Sequence, residues 1–429
     1  MKPLLPHSFS FLILAVLFVL ALADVQSVFI LQRHGNRAPN DDIAKICPNY
    51  ANIPLYKAQH VDYAMLTGYG MRQLELLGTF IKRSYLDSGY LADYHDYYPT
   101  KVTAFASNSP RCIQSCLSTG YTMYPDGTGV PRASGHSFFS VESNSQEHDN
   151  VLACRKAKCD AEYVAHTDQW LRENIDGILK DHASMISQVS KACGFDFTTL
   201  PKSGTNNIMD SLKVVNDATA FDINAGFPLI SGIEAVHTEL NAVCQSYIDG
   251  SLLINNDAIV ASNGKLPKFM LETWGAHLDA ANHDGPDPSG LVLLCGHREI
   301  LYALRTFFGF SWNLPGDAMV AGQLPPGSAI VFEQHCIESS TGPADHLIMP
   351  YLWYPDGQGA SFKRLDLQFT SPDGKSCGKA CPLDFIQAIH DARNANGTYK
   401  QICEKFGEEI DADLFDSYRG SRAWKEWGM

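Results

Sequence analysis

The chain has 429 residues, of which 45% are hydrophobic and 11% aromatic, so it can bury one large core or two smaller ones. Its 33 Lys and Arg against 47 Asp and Glu give a net charge of -14, which argues against a protein that binds by neutralising a nucleic acid backbone. An anionic small molecule is not excluded, because a few clustered arginines can hold a phosphate whatever the net charge.

The N-terminus has the pattern of a cleaved signal peptide over residues 1–23. Lys2 precedes an apolar run over residues 9–22, which is broken only by Ser10 and ends in Ala21-Leu22-Ala23. A membrane anchor is the alternative, but the run is short for a span and a cleavage pattern follows it at once. We therefore expect a secreted chain, in an extracellular or lysosome-like compartment, with no stable membrane anchor.

Twelve cysteines, all downstream of this segment, fit an oxidising compartment in which disulfides form. Sequence alone does not pair them, although two pairs are close enough in the chain to form small loops: Cys377 with Cys381, and Cys154 with Cys159. Cys112 and Cys295 each adjoin a cluster of polar residues, and either could instead be a buried free thiol. The sequon Asn396-Gly397-Thr398 could carry a glycan.

The first predicted strand ends in a cluster of polar and basic residues. The segment Val25 to Leu31 is short and mostly apolar, as is typical of a buried strand, and the motif Gln32-Arg33-His34-Gly35-Asn36-Arg37-Ala38-Pro39 follows it. We therefore expect His34 just beyond the carboxyl end of a strand, where ligands bind in open α/β sheets. A helix is predicted next, over Thr67 to Tyr85, with an apolar stripe that indicates core packing.

Two further predicted strands also end in polar clusters. Lys101 to Ser107 leads to Asn108-Ser109-Pro110-Arg111, and a helix is predicted from Cys112 to Tyr121. Leu291 to Cys295 is continuously apolar, which is typical of a strand covered on both faces, and it leads to Gly296-His297-Arg298-Glu299. The sequence thus predicts three polar clusters at the exits of three strands.

The remaining segments predict how the chain is organised. The long stretch before the third strand is polar and helical in character, which indicates an inserted cap domain. Ser328 to Glu333 and Leu347 to Tyr354 have strand character and are expected to extend the sheet in antiparallel fashion. The expected division is a signal peptide over 1–23, an α/β catalytic core over 24–124 and 266–429, and a helical cap over 125–265.

The first cluster carries the groups that phosphoryl transfer requires. A transferring phosphoryl group spreads charge over three oxygens, so it needs cationic donors and a nucleophile in line. Arg33 and Arg37 stay charged and offer planar forks that match two phosphate oxygens, while their repulsion of an imidazolium keeps His34 neutral and able to attack phosphorus. Gly35 is expected to let the backbone turn tightly beside the anion. A surface basic patch is the alternative, but Arg-His-Gly-x-Arg-x-Pro fixes five positions.

This motif resembles the signature of the histidine acid phosphatases, a branch of the histidine phosphatase superfamily. Residues 66–73 with Leu77-Gly78, residues 115–125 and residues 377–383 resemble the same family, whereas the cap resembles it weakly. The resemblance implies an α/β fold, a three-layer sandwich on a central mixed sheet with an inserted, mainly helical cap. It implies a phosphohistidine on His34 and a phosphate held by Arg33, Arg37, Arg111 and His297. No metal and no cofactor are expected, because the arginines supply the charge stabilisation.

Two departures from the family pattern concern the second and third clusters. Residues 105–110 lack the Ser-Thr-Asp-like run that members carry ahead of Arg111. Members have His-Asp after the late strand, with Asp as proton donor, whereas Arg298 follows His297 here. His-x-Glu is the arrangement of the related inositol polyphosphate phosphatases, so we expect Glu299 to be the proton donor. The alternative is that Glu299 only stabilises a helix N-terminus.

The substrate and two other classes of function stay open. The first motif favours small phosphate monoesters, whereas His-x-Glu favours inositol phosphates. A mutase of the superfamily fits poorly with the signal peptide and the cysteines. A secreted binding protein with a decayed phosphatase site is the non-enzyme alternative, because of Arg298 and the altered run before Arg111. The expected partner is a small-molecule phosphate monoester and not a nucleic acid, and a homodimer is left open.

Overall fold

The structure is a computed structural model that describes residues 24–91, 95–99, 101–125, 128, 139–154, 159–280, 290–312, 314, 324–337, 345–356 and 361–405. The expected signal peptide, residues 1–23, lies outside the described residues. Within these ranges no helix is both long and apolar enough to cross a bilayer.

A mixed sheet forms the centre of the described structure. Its strands are β1 Asp24–Arg33, β2 Val102–Ala106, β3 Leu291–Gly296, β4 Ala329–Ile337, β5 Asp345–Pro355, β6 Phe362–Asp366 and β7 Cys381–Pro382. Their order is β2-β3-β1-β4-β5-β6, and β7 pairs with β5. β1, β2 and β3 are mutually parallel, whereas β4, β5 and β6 continue the sheet in antiparallel fashion, as expected. The carboxyl ends of the three parallel strands therefore lie at one edge.

Helices separate the parallel strands along the chain and follow the last strand. The α-helices are α1 Ile43–Ile46, α2 Ile53–Ala58, α3 Gly68–Ile81, α4 Pro110–Met123, α5 Asp160–Asp181, α6 Ala183–Cys193, α7 Ile208–Ala225, α8 His237–Leu253, α9 Asn256–Asn263, α10 Leu266–Ala280, α11 Arg298–Phe307, α12 Leu383–Asn394 and α13 Tyr399–Glu404. A π-helical turn, Lys82–Leu86, continues α3, and a 3₁₀ turn, Phe197–Thr199, follows α6.

Helices cover both faces of the sheet. Successive residues of a strand point to opposite faces, so β1 contributes to two separate cores. Val28 and Ile30 pack in an apolar cluster with α3 and α4. Phe29 and Leu31 pack on the other face with residues of α9 to α13, among them Trp274. The expected three-layer α/β sandwich on a mixed sheet is confirmed.

The helices between β2 and β3 pack in two different ways. α5 to α8 share an apolar cluster with α1 that contains Leu171, Leu212 and Tyr247. α9 and α10 instead contribute to the cluster against the sheet. The division into a core and a cap over residues 125–265 stays a prediction.

The cysteine pairing differs in part from the pairs that chain proximity suggested. The structure pairs Cys377 with Cys381, as expected, and also pairs Cys47 with Cys193. Cys154 and Cys159 do not pair with each other, because α13 brings Cys403 against the start of α5, where it bonds with Cys159. Two other cysteines, Cys112 and Cys295, are buried thiols.

Candidate active site

The main chains that leave the three parallel strands are hydrogen-bonded to one another. The amide of His34 donates to the carbonyl of Gly296 at 3.0 Å, and the amide of Ser107 donates to the carbonyl of Cys295 at 2.9 Å. The ring centroids of His34 and His297 are 5.5 Å apart. The clusters at the three strand exits therefore lie beside one another.

A cavity of about 360 Å³ opens at this edge of the sheet. It is lined by all six residues that the sequence predicts for the site: Arg33, His34, Arg37, Arg111, His297 and Glu299. Arg111 reaches it from the first turn of α4, which begins at Pro110 because proline suits the first helical position.

The loop after β1 is held in place by two helices. The amide of Gly35 donates to the hydroxyl of Ser115 on α4 at 3.1 Å, and the amide of Asn36 donates to the side-chain oxygen of Gln73 on α3 at 2.9 Å. A Cβ at Gly35 would lie 2.5 Å from the carbonyl oxygen of Gly70, and one at Gly70 would lie 2.1 Å from that of Asn36. Gly35 does not have a positive φ, so close packing on α3, rather than the expected tight turn, requires a glycine.

His34 has a defined tautomer and a defined charge. Its Nδ1 atom is 2.8 Å from the carbonyl oxygen of Gly35, which can only accept a hydrogen bond, so Nδ1 carries the proton. Burial lowers the pKa of His34 well below its usual value, and Arg33 and Arg111 lower it further. The imidazole is therefore neutral, with a lone pair on Nε2, as a nucleophile requires.

Arg33 and Arg37 are buried and fixed by few partners. The Nη1 group of Arg33 donates to the carbonyl of Leu324. The Nη1 group of Arg37 donates to the Asn40 side-chain oxygen at 2.9 Å, and its guanidinium lies 4.4 Å from the ring centroid of Phe221. Burial lowers the pKa of Arg33 to about 10 and that of Arg37 to about 9, so both are cationic at neutral and acid pH.

Three guanidinium groups around His34 have an unused donor. The Nε–H groups of Arg33, Arg37 and Arg111 are buried and make no hydrogen bond to the described part of the chain. The side chains of all three arginines line the cavity, which therefore offers several guanidinium donors to a ligand with several acceptor oxygens. The cavity is thus cationic and suited to a phosphate.

His297 contacts both the altered run before Arg111 and a thiol. Its Nε2 atom is 3.4 Å from the hydroxyl oxygen of Ser107 and 3.7 Å from the Sγ atom of Cys112. Ser107 also lines the cavity, so the altered run contributes a hydroxyl to the site. His297 is the N-cap of α11 and makes no capping hydrogen bond with its side chain.

Arg298 and Glu299 both line the cavity, although adjacent helical residues point about 100° apart. The guanidinium of Arg298 binds the carboxylate of Asp217 on α7 at 2.7 and 3.0 Å. Oε1 of Glu299 lies 3.5 Å from Nε of Arg298 and 3.5 Å from Nζ of Lys213. Which of the two faces a bound phosphate stays a prediction.

The charge of Glu299 is set by its cationic neighbours. Burial alone would raise its pKa, but Lys213, Arg298 and His297 together outweigh burial and hold the pKa well below its usual value. Glu299 is therefore a carboxylate in this structure. As a proton donor it would have to gain a proton when a phosphate dianion offsets the surrounding cations.

Sequence reasoning missed the wall that α7 contributes to the cavity. Lys213, Asp217 and Phe221 line it, and their spacing of four residues places them on one face of the helix. That spacing is visible in the sequence, but it does not reveal that this face turns toward the strand exits. Asn40 and Gln146 also line the cavity and were not predicted.

The comparisons with known proteins agree with this geometry. The family model described as "Histidine phosphatase superfamily (branch 2)" matches residues 24–346. No curated protein matches the chain. Within the described residues, no group of three or more His, Cys, Asp or Glu is placed to hold a metal ion.

Solved structures with the same fold include phytases and a related phosphatase. Hafnia alvei phytase, in complex with myo-inositol hexakis sulphate, has a TM-score of 0.65 and 17% identity, over 89% of this chain and 99% of that one. Citrobacter braakii phytase has a TM-score of 0.63 and 15% identity, over 86% and 98%. Bifidobacterium longum multiple inositol polyphosphate phosphatase, in complex with inositol hexasulfate, has a TM-score of 0.52 and 11% identity, over 88% and 93%. At these identities the likeness concerns the fold.

The family match covers most of the chain and includes all three strand exits. It confirms the resemblance that the first motif indicated, and with it the expected class of enzyme, a phosphatase. The chain belongs to the histidine phosphatase superfamily, in its branch 2.

Proposed function

We propose that this chain hydrolyses phosphate monoesters in the cavity at the strand exits, with His34 as the nucleophile. The observation that supports this most directly is that three arginines, Arg33, Arg37 and Arg111, line one cavity beside a neutral imidazole. Arg33, Arg37 and Arg111 would bind the phosphate oxygens, and His297 would add a further donor. The charge that develops in the transition state would meet fixed cations.

The proposed reaction has two steps. The Nε2 lone pair of His34 forms a bond to phosphorus while the bond to the leaving oxygen breaks, and Glu299 gives its proton to that oxygen. Water then attacks the phosphohistidine, Glu299 takes a proton from this water, and the N–P bond breaks. The products are an alcohol and inorganic phosphate, and both side chains return to their starting states.

The proton that Glu299 must donate links the activity to acid pH. Glu299 starts as a carboxylate, and both lower pH and a bound dianion favour its protonation. The helix N-terminus alternative remains for this residue, because Glu299 also lies in the first turn of α11.

Trapping the intermediate tests the proposal. Rapid quenching with a ³²P-labelled monoester should leave acid-labile, base-stable label on the protein, and His34→Ala should abolish it. An exposed histidine outside the cavity, His60, offers a control, because His60→Ala should keep the label. A chain that binds phosphate but never turns over a monoester would instead be a binding protein with a decayed site.

Inositol polyphosphates are the second candidate substrates. Two cations beyond the phosphate-binding set, Lys213 and Arg298, line the same cavity, as a substrate with several phosphates would require. The phytases named above share the fold. Assays of one purified sample on an aryl phosphate and on phytate would separate the two substrate classes.

We also propose that the chain is secreted and glycosylated. The apolar N-terminal pattern and three disulfides support an oxidising compartment. Asn396 is exposed just ahead of α13, where an attached glycan would not disturb the core. N-terminal sequencing of the protein recovered from the medium should give Asp24 as its first residue. Endoglycosidase treatment should lower the mass of the wild type and leave the mass of Asn396→Gln unchanged.

A further inference from the structure

Four charged side chains form an alternating row along one wall of the cavity. The row runs Lys213, Glu299, Arg298, Asp217, with Nζ–Oε1 and Nε–Oε1 distances of 3.5 Å and guanidinium–carboxylate distances of 2.7 and 3.0 Å. Lys213 and Asp217 come from α7, whereas Arg298 and Glu299 open α11. The ion pairs of this row therefore link α7 to the start of α11, which carries the proposed proton donor.

The two cations of this row are held very differently. Arg298 is 4% exposed and is fixed by two contacts to Asp217, so it stays beside Glu299. Lys213 is 29% exposed and carries its ammonium group on a flexible four-carbon chain. Because Lys213 and Glu299 are both partly exposed, solvent reaches their ion pair at 3.5 Å, and a competing anion can replace it.

We propose that Lys213 is a positioning residue that withholds the proton donor until a second anionic group of the substrate binds it. While Lys213 pairs with Glu299, its positive charge opposes protonation of the carboxylate. A second phosphate or carboxylate on the substrate would pair with Lys213 and offset its charge. Glu299 would then accept a proton and become able to donate it. This inference rests on the proposed function.

The other charged groups around Glu299 are compatible with such a switch. Arg33 comes from β1, and His297 and Arg298 adjoin Glu299 in the chain. Asp217 on α7 is occupied by Arg298, and Asp160 of α5 lines the same cavity. The arginines would be offset by the phosphate that reacts, since their forks suit its oxygens. Lys213 is the member of the row left for a further anion.

A binding measurement tests the switch without turnover. Methyl sulfate and propane-1,3-diyl bis(sulfate) do not titrate near pH 6, so calorimetry in two buffers of different ionisation enthalpy reports proton uptake by the protein. The bis-sulfate should cause more proton uptake than methyl sulfate and bind roughly two- to fivefold more tightly, as expected for one added ion pair. Both differences should vanish in Lys213→Gln, and the extra uptake should vanish in Glu299→Gln.

The control is Lys191→Gln, an exposed lysine in the last turn of α6, which should behave like the wild type. Equal proton uptake with both ligands in the wild type would overturn the proposal, as would an unchanged bis-sulfate advantage in Lys213→Gln.

A kinetic measurement supplies a second readout. With a substrate that has no second anionic group, Lys213→Gln should move the alkaline limb of the kcat profile up by about one pH unit, because Glu299 loses an adjacent cation. An unmoved limb would contradict the proposal. Absence of all hydrolysis would refute the proposed function instead, and the calorimetric result would still be interpretable.

Discussion

The Nδ1 atom of His34 lies 2.8 Å from the carbonyl oxygen of Gly35, the next residue in the chain. This contact places the ring proton on Nδ1 and leaves Nε2 to attack. Because burial, Arg33 and Arg111 all lower the pKa of His34 well below the usual 6.5, the imidazole should stay neutral in mildly acid solution. An NMR titration of ¹⁵N-histidine should show Nε2 of His34 unprotonated there. A titration of this ring near 6.5 would contradict a buried, arginine-flanked imidazole.

The role of Glu299 can be separated from a capping role by the leaving group. Glu299→Gln should slow alkyl phosphates by about a hundredfold to ten-thousandfold, because an alkoxide leaves poorly without a proton. An activated aryl phosphate should keep most of its phosphorylation rate. Stopped-flow measurement of the phosphorylation step gives both values. Glu173→Gln, an exposed variant on α5, is the control; equal slowing of both esters by Glu299→Gln would assign the donor elsewhere.

Removal of divalent metals should leave the activity unchanged. The proposed charge stabilisation comes from Arg33, Arg37 and Arg111, whose guanidinium groups surround His34. Initial rates before and after dialysis against EDTA should therefore agree. Loss of activity with EDTA and its recovery with magnesium or zinc would mean that the arginines do not suffice.

A buried carboxylate makes the fold more stable in acid. Burial raises the pKa of Asp222 to about 6, although hydrogen bonds from Asn52, Tyr56 and Tyr50 oppose the rise. Because the folded-state pKa exceeds the unfolded one, this contribution is complete below about pH 4 and is lost as pH rises through about 6. Asp222 alone should therefore lower the free energy of unfolding by up to about 3 kcal/mol over this range, while the lowered pKa of His34 contributes in the opposite direction.

Urea unfolding at several pH values, compared between the wild type and Asp222→Asn, isolates this contribution: the difference in free energy of unfolding between the two proteins should change with pH by this amount. An Asp222→Asn protein with the wild-type slope would show that another group titrates.

The disulfides should differ in what they contribute to stability. Cys159 and Cys403 are 244 residues apart, whereas Cys377 and Cys381 are four apart. If closure of a long loop restricts the unfolded chain, replacing both members of the first pair by Ser should cost about 2–5 kcal/mol. The second pair, replaced in the same way, should cost less. Equal losses in thermal unfolding would indicate that native-state contacts, not loop closure, dominate.

Local patterns were enough to predict the parallel part of the sheet. The continuous apolar run before Gly296 forms β3, which lies between β1 and β2 and is buried throughout. The predicted helix from Thr67 ends four residues early as an α-helix, at Ile81, and continues as the π-helical turn. Thr67 caps it by accepting a hydrogen bond from the amide of Gly70, which is a local signal.

Contacts between distant segments were not predictable in the same way. The sequence alone does not reveal that Asp217, on a helix some eighty residues earlier, binds Arg298, because that depends on how α7 packs over the strand exits. The pairing of Cys159 with Cys403 likewise depends on where α13 docks. Local periodicity carries no information about such docking.

Two positions where the loop after β1 meets α3, Gly35 and Gly70, are each restricted to glycine. A side chain at Gly35 would strike the carbonyl oxygen of Gly70, and a side chain at Gly70 would strike that of Asn36. Both obstacles are main-chain atoms, which every amino acid shares. No replacement elsewhere can shrink them, so a selection for suppressors of Gly70→Ala should return only revertants to glycine at that position.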